Sequence, residues 1–234
     1  MSAISDNLQV VRMAIVEAAH AAGRDAAAVQ LLAVSKNFGP DDVVEAAANG
    51  QVAFGENYLQ EALDKIAAVQ ALQPGLALSW HFIGPIQGNK TRQIASHFDW
   101  VHAVDREKIA QRLSDQRPKG LPPLNVCLQV NISGEASKSG VAPEDVSALA
   151  HKVLALPGLR LRGLMAMPEP AQDREQQRAP FARMGELLGR LRAEGLRVDT
   201  LSMGMSGDLA AAVAEGSTIV RIGTAIFGHR NYEQ

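Results

Sequence analysis

The 234-residue chain predicts an α/β fold, a single (β/α)8 TIM barrel with an additional N-terminal helix. Three observations lead there. Eight short apolar runs alternate with longer stretches of helical periodicity, the pattern of strands in a buried parallel sheet beneath covering helices. Hydrophobic residues make up 47% of the chain and aromatic ones only 4%, so Ala, Leu, Val and Ile must supply the packing, as suits helices around a parallel sheet. No linker, repeat or low-complexity tract divides the sequence, and a barrel of this length forms one domain, here residues 1–234. A doubly wound open sheet shares the alternation, because periodicity does not show whether the first strand pairs with the eighth.

The leading helix is read from Leu8, Val11, Ile15, Ala18 and Ala19, which follow the caps Ser5 and Asp6 at helical spacing and stop near Gly23. Strands are predicted at Leu31 to Val34, Val52 to Phe54, Trp80 to Ile83, Val101 to Val104, Asn125 to Val130, Leu159 to Met165, Thr200 to Ser202 and Ile219 to Arg221. Helices are predicted between them at Asp41 to Ala48, Tyr58 to Leu72, Lys90 to His97, Arg106 to Arg117, Pro143 to Leu156, Asp173 to Glu194 and Leu209 to Glu215. Several have Asp, Ser or Pro near the start, residues suited to the unbonded amides of a first turn. Prolines 118, 122 and 123 make Arg117 to Pro123 a long turn, since they cannot continue the helix. Ser133 to Gly140 is a polar loop on the face where barrels build active sites, and is a candidate lid.

A net charge of −2, with both signs mixed along the chain, offers no broad cationic face for nucleic acid or an anionic membrane. A small-molecule partner is expected instead. Cys127 is the sole cysteine, so neither an intrachain disulfide nor a thiolate metal cluster can form, and its apolar neighbours Val126 and Leu128 make it a core residue. The segment Met1 to Asp6 lacks a basic start and an apolar run, and no stretch approaches a membrane span. A soluble, cytoplasmic monomer is the expectation.

Lys36 directly follows the first strand, where a barrel aims side chains at its C-terminal mouth, and a lysine amine there can form a Schiff base with an aldehyde. Its plain alternative is a lysine reaching into solvent. Ser202-Met203-Gly204-Met205-Ser206-Gly207 precedes a helix opening at Leu209. Its glycines permit close backbone approach, while its hydroxyls and the first amides of that helix suit an anion. Arg221-Ile222-Gly223-Thr224 follows the eighth strand, and barrels often hold phosphate in the loops after strands seven and eight. An aldehyde that carries a phosphate satisfies both halves, and pyridoxal 5'-phosphate (PLP) is such a molecule. Arg221 could instead pair with Glu215 or Asp208, and Asn57 could bond a ring substituent or cap the next helix. His81 lies within a strand and reads as a core histidine. No His-x-x-x-His spacing, nucleophile elbow or Walker loop is present, which leaves metal, hydrolase and nucleotide-triphosphate chemistry without support.

Taken together, AVSK at 33–36, FGENY at 54–58, HFIGPIQGNK at 81–90, GLMAMP at 163–168, LSMGMSGD at 201–208 and VRIGTAIFG at 220–228 resemble the YggS/PROSC family of pyridoxal phosphate homeostasis proteins, over nearly the whole chain. The resemblance implies a barrel of the alanine-racemase N-terminal type that holds PLP as an internal aldimine on Lys36. It implies that Ser206 with the Gly223 and Thr224 amides holds the phosphate, that Arg221 faces the pyridine nitrogen, and that Asn57 and Met165 line the ring. A permanent cation at that nitrogen disfavours its protonation and weakens the ring as an electron sink. The related racemases add a β-rich domain whose tyrosine is the opposite-face base. Here six residues follow Gly228 and the only tyrosines are Tyr58 and Tyr232, so two-base racemisation is not expected. The expected function is therefore non-catalytic PLP binding in vitamin B6 homeostasis, with apo-PLP enzymes as partners. The alternatives are a PLP-dependent amino-acid racemase and a Schiff-base aldolase acting on a sugar phosphate.

Overall fold

The computed structural model describes residues 2–134, 139–171 and 173–228. Eight parallel strands, β1 (Gln30–Val34), β2 (Ala53–Glu56), β3 (Ser79–Phe82), β4 (Trp100–Val104), β5 (Leu124–Gln129), β6 (Leu159–Met165), β7 (Thr200–Ser202) and β8 (Ile219–Ile222), pair in sequence order and close into a barrel. Closure rests on β1 against β8, with Leu32 opposite Arg221 and Ala33 opposite Ile222, which excludes the open sheet. The helices are α1 (Ala3–Ala21), α2 (Pro40–Ala48), α3 (Leu59–Leu72), α4 (Thr91–His97), α5 (Glu107–Gln116), α6 (Val146–Leu154), α7 (Arg174–Ala193), α8 (Leu209–Ala214) and α9 (Thr224–Phe227).

Helix α1 begins earlier than the Ser5 and Asp6 caps imply. Ser2 is its N-cap, and the Ser2 hydroxyl accepts from the Ser5 amide at 3.3 Å. Its buried stripe of Ile4, Leu8, Val11, Ile15, Ala18 and Ala19 lies against α2, α8 and α9 and covers the seam where the barrel closes. Strand β2 starts at Ala53 and runs on to Glu56, because Phe54, Gly55 and Glu56 find partners in Trp80, His81 and Phe82, while Val52 stays exposed. The stretch expected as one helix from Pro143 splits into a 3-10 turn, Pro143–Asp145, and α6. Helix α9 has only four residues, too short for periodicity to reveal.

Most apolar side chains pack between strands and helices, where Phe54, Phe82, Phe98 and Phe181 are fully or almost fully buried. The barrel interior is different. Leu32, Ala53 and Ile219 form a small cluster with Ile83 and Trp100, and a chain of polar side chains accompanies it. The Ser79 hydroxyl lies 3.0 Å from His81 Nε2, His81 Nδ1 2.9 Å from His102 Nε2, and His102 Nδ1 2.8 Å from the Ser202 hydroxyl. Burial holds the His81 imidazole down to about 3 and His102 well below its ordinary value, so both rings are neutral at physiological pH. His81 is thus the satisfied core histidine that its strand position implied. Cys127 is also buried in the core, its thiol pushed up to about 12 by desolvation. Among the described residues there is no group of three or more potential metal ligands, and no helix is long and apolar enough to cross a membrane.

Candidate active site at the barrel mouth

Side chains alternate in direction along a strand, so Leu32 and Val34 of β1 share one face, and Lys36 continues that parity beyond the strand end. Val34 and Lys36 both line a cavity of about 700 Å³ at the C-terminal mouth. Asn57, Ser206, Arg221, Gly223 and Thr224 line the same cavity, together with Ile83, Gly84, Pro85, Gln129, Asn131, Met167 and Met205. The mouth of the barrel therefore gathers residues from seven strand ends, up to 190 positions apart in sequence between Val34 and Thr224.

The turn that carries Lys36 is fixed on both sides. The Ser35 amide donates to Gly55 O at 3.0 Å, and the Ser35 hydroxyl donates to Glu56 Oε1 at 2.6 Å. Asn37 takes a left-handed conformation, φ 64°, which asparagine tolerates better than most residues, and its amide donates to Glu61 Oε1 at 2.5 Å. Phe38 then stacks on Phe227 with ring centroids 5.0 Å apart, tying the turn to α9. Behind the turn, Lys65 of α3 donates to Ser35 O at 2.7 Å, Glu56 Oε1 at 2.7 Å and Glu61 Oε1 at 2.9 Å. Desolvation raises the Glu56 carboxyl, with Lys65 opposing that shift.

Arg221 is almost wholly buried, at 4% exposure, and among the described residues it makes no ion pair in direct contact with a carboxylate, although the charge of Asp208 favours its protonated form. Its Nη1 donates to Ser202 O at 2.6 Å and to the Ser202 hydroxyl at 2.8 Å, and its Nη2 donates to Ala166 O at 2.9 Å. Glu215, one carboxylate that sequence offered as a partner, binds Arg178 at 2.6 Å, and Asp208 accepts from the Met205 amide at 2.6 Å. Desolvation lowers the guanidinium to about 10, which leaves it protonated at neutral pH. Among the described residues, its Nε–H and one Nη2–H have no protein acceptor, and the cavity is where an acceptor could reach them. A pyridine nitrogen is such an acceptor, so this donor set fits the ring of PLP.

After β7 and β8, the 205–208 turn presents Ser206 and Gly207 to the cavity, and α9 begins at Thr224. The amides of Thr224 and Ala225 in its first turn have no intrahelical acceptor. Asn57 is not a helix cap: α3 is capped by Tyr58, and Asn57 faces the cavity. Gly84 has to be glycine, since a Cβ there would sit 2.3 Å from Asn57 O.

Three expectations change. Met165 does not line the cavity: it is fully buried in register with Gln129 and Ser202, and Met167, two residues on, occupies the lining. Ser202 does not offer its hydroxyl to an anion, because that hydroxyl is engaged by Arg221 and His102 inside the barrel. Gly204 serves packing and not ligand approach, since at φ 96° an added Cβ would lie 2.6 Å from that of Ala212. Residues 135–138 of the candidate lid, and Tyr232, lie outside the described residues. Sequence reasoning missed the Glu56–Lys65 pair, although Lys65 shares the helical spacing of Ala62 and Val69 and so falls on the buried stripe of α3.

Residues 2–231 match the family model described as alanine racemase, N-terminal domain. A pyridoxal phosphate homeostasis protein of Pseudomonas aeruginosa is 65% identical over 232 residues, covering 99% of this chain and 98% of the relative. The protein of the same name from Escherichia coli K12 is 50% identical over 234 residues, with both chains fully covered. The structure of PipY from Synechococcus elongatus PCC7942 with PLP bound superposes with a TM-score of 0.82 at 36% identity, covering 96% of this chain and all of PipY. The chain belongs to the pyridoxal phosphate homeostasis proteins, whose fold is that of the alanine racemase N-terminal domain.

Proposed function

We propose that this protein binds PLP at the barrel mouth, holds it through a reversible Schiff base on Lys36, and serves PLP homeostasis by storing and releasing the cofactor without catalysing amino-acid chemistry. One observation carries the reading. Among the described lining residues, Lys36 and Arg221 are the only side chains with an ordinary titratable or charged group, and they approach one 700 Å³ cavity from β1 and β8.

Bound PLP supplies an aldehyde and a pyridine ring able to act as an electron sink. The Lys36 amine is the nucleophile for that aldehyde, on a turn whose neighbours Ser35 and Asn37 are both anchored. Arg221 would face the ring nitrogen of bound PLP as a cation, and so would supply no carboxylate to stabilise a protonated ring. Ser206 and the Gly223 and Thr224 amides, which line the cavity, would hold the phosphate, and Asn57 would bound the ring. Met167 takes the lining role that sequence had given to Met165. A racemase needs an acid or base on each face of the substrate, and no second such group lines the described cavity beside Lys36. The reading extends to a cytoplasmic monomer that passes PLP to apo-enzymes.

The test is a turnover assay on a panel of D- and L-amino acids, run beside transfer of PLP from the loaded protein to an apo-enzyme acceptor. Transfer with no turnover above a Lys36→Ala control is expected. Robust turnover that Lys36→Ala abolishes would make the protein a catalytic PLP enzyme.

A further inference from the structure

We infer that Lys65, Glu56 and Glu61 form a positioning cluster that sets the 35–37 turn and so aims the Lys36 amine at the ligand's aldehyde; the inference rests on Lys36 being the Schiff-base amine. Lys65 is 3% exposed, and its three ammonium hydrogens are matched by three acceptors: Ser35 O, Glu56 Oε1 and Glu61 Oε1. Two members of the cluster grip the backbone on either side of Lys36. Lys65 takes the carbonyl of Ser35, and Glu61 takes the amide of Asn37. Glu56 adds the Ser35 hydroxyl, so the residue before Lys36 is held at three points once its bond to Gly55 O is included.

This arrangement is an expensive way to pack a helix on a strand. Burying an ion pair requires desolvation of both charges, and apolar residues of the same volume commonly serve as well or better. Here the fully buried Glu56 also leaves Oε2 without a hydrogen-bond partner among the described residues. A stability role does not explain such a cluster, whereas a requirement for one conformation of the 35–37 turn does. None of the three residues lines the cavity. They act from the helix side of the barrel wall on β1 and β2, while the phosphate-holding residues follow β7 and β8. Covalent attachment and phosphate retention should therefore separate on mutation.

The experiment uses the full chain with Lys65→Met, Glu56→Gln and Glu61→Gln, and PLP as the probe. Stopped-flow absorbance reads the rate of Schiff-base formation, borohydride reduction with intact mass reads the covalent share, and ultrafiltration reads total bound PLP. Loss of one or more charge-assisted contacts predicts formation about tenfold or more slower in Lys65→Met and a smaller loss in Glu61→Gln, with total binding retained through the phosphate. A thermal melt establishes that each variant is folded. Glu61 is partly exposed and its substitution keeps the buried pair, so Glu61→Gln decides the matter if Lys65→Met does not fold. Folded variants with the wild-type formation rate and covalent share would overturn the positioning role. Wild-type protein that borohydride never modifies would instead overturn the Schiff-base reading itself.

Discussion

Ser206 is the residue on which the phosphate assignment can be isolated. It faces the cavity from an exposed turn, so Ser206→Ala removes one hydroxyl and leaves the Gly223 and Thr224 amides in place. A hydrogen bond to a charged group contributes about 1.5–3 kcal/mol, so PLP affinity should fall roughly ten- to hundredfold in an equilibrium titration. Binding of pyridoxal, which lacks the phosphate, should not change. Equal losses for both ligands would remove Ser206 from the phosphate site. Arg221→Glu places a carboxylate where a protonated ring nitrogen would be stabilised, and side reactivity toward amino acids should rise from the wild-type baseline, measured per molecule of bound PLP. No rise with the cofactor still bound would show that Arg221 does not restrain the ring. At this scale the placement of Lys36, Asn57, Ser206 and Arg221 at the cavity was legible because each occupies a strand end or the loop beyond it, where direction follows from fold class. Met165 and Ser202 were misread for a related reason: both are strand-terminal residues in register with each other, which places them below the mouth, and no periodicity reports depth along a barrel axis.

The 202–209 connection shows what an element demands of its sequence. Gly204 adopts φ 96° against the first turns of α8, so Gly204→Ala must both strain the backbone and displace Ala212. The two penalties together are roughly 2–5 kcal/mol, readable as a lower urea midpoint, and the shifted 205–208 turn should also lose PLP affinity. Unchanged stability would mean that α8 moves aside freely. Strand and helix positions were largely visible in the sequence, since apolar runs and helical stripes are local properties. The Glu56–Lys65 pair was not visible, because it joins a strand end to a helix face nine residues later and only the packing of α3 on β2 makes them neighbours.

The whole molecule carries a pH dependence in its polar barrel interior. His81, with an imidazole held to about 3 against 6.5 in an unfolded chain, binds its proton only after unfolding across that window, and His102 is shifted in the same direction. The unfolded state thus takes up more protons as pH falls below about 6.5, and stability declines by about 1.4 kcal/mol per pH unit for each such histidine. Glu56 acts in the opposite sense, because its raised carboxyl takes up a proton in the folded state first. Urea midpoints measured from pH 7 to 5.5 should therefore fall, and His81→Gln should flatten the slope; an equally steep slope in that variant would exclude the buried ring as its source. Barrel closure itself was not legible, as the pairing of β1 with β8 is a long-range contact that no local pattern encodes.

The proposed function requires Lys36 and the groups gathered around it to hold PLP covalently. The direct measurement is the visible absorbance spectrum of the protein as purified, followed by borohydride reduction and peptide mass analysis. A Schiff-base band in the wild type, a PLP adduct mapped to Lys36 after reduction, and loss of both in a folded Lys36→Ala variant are expected. An undiminished band in Lys36→Ala, or an adduct on another lysine alone, would contradict it.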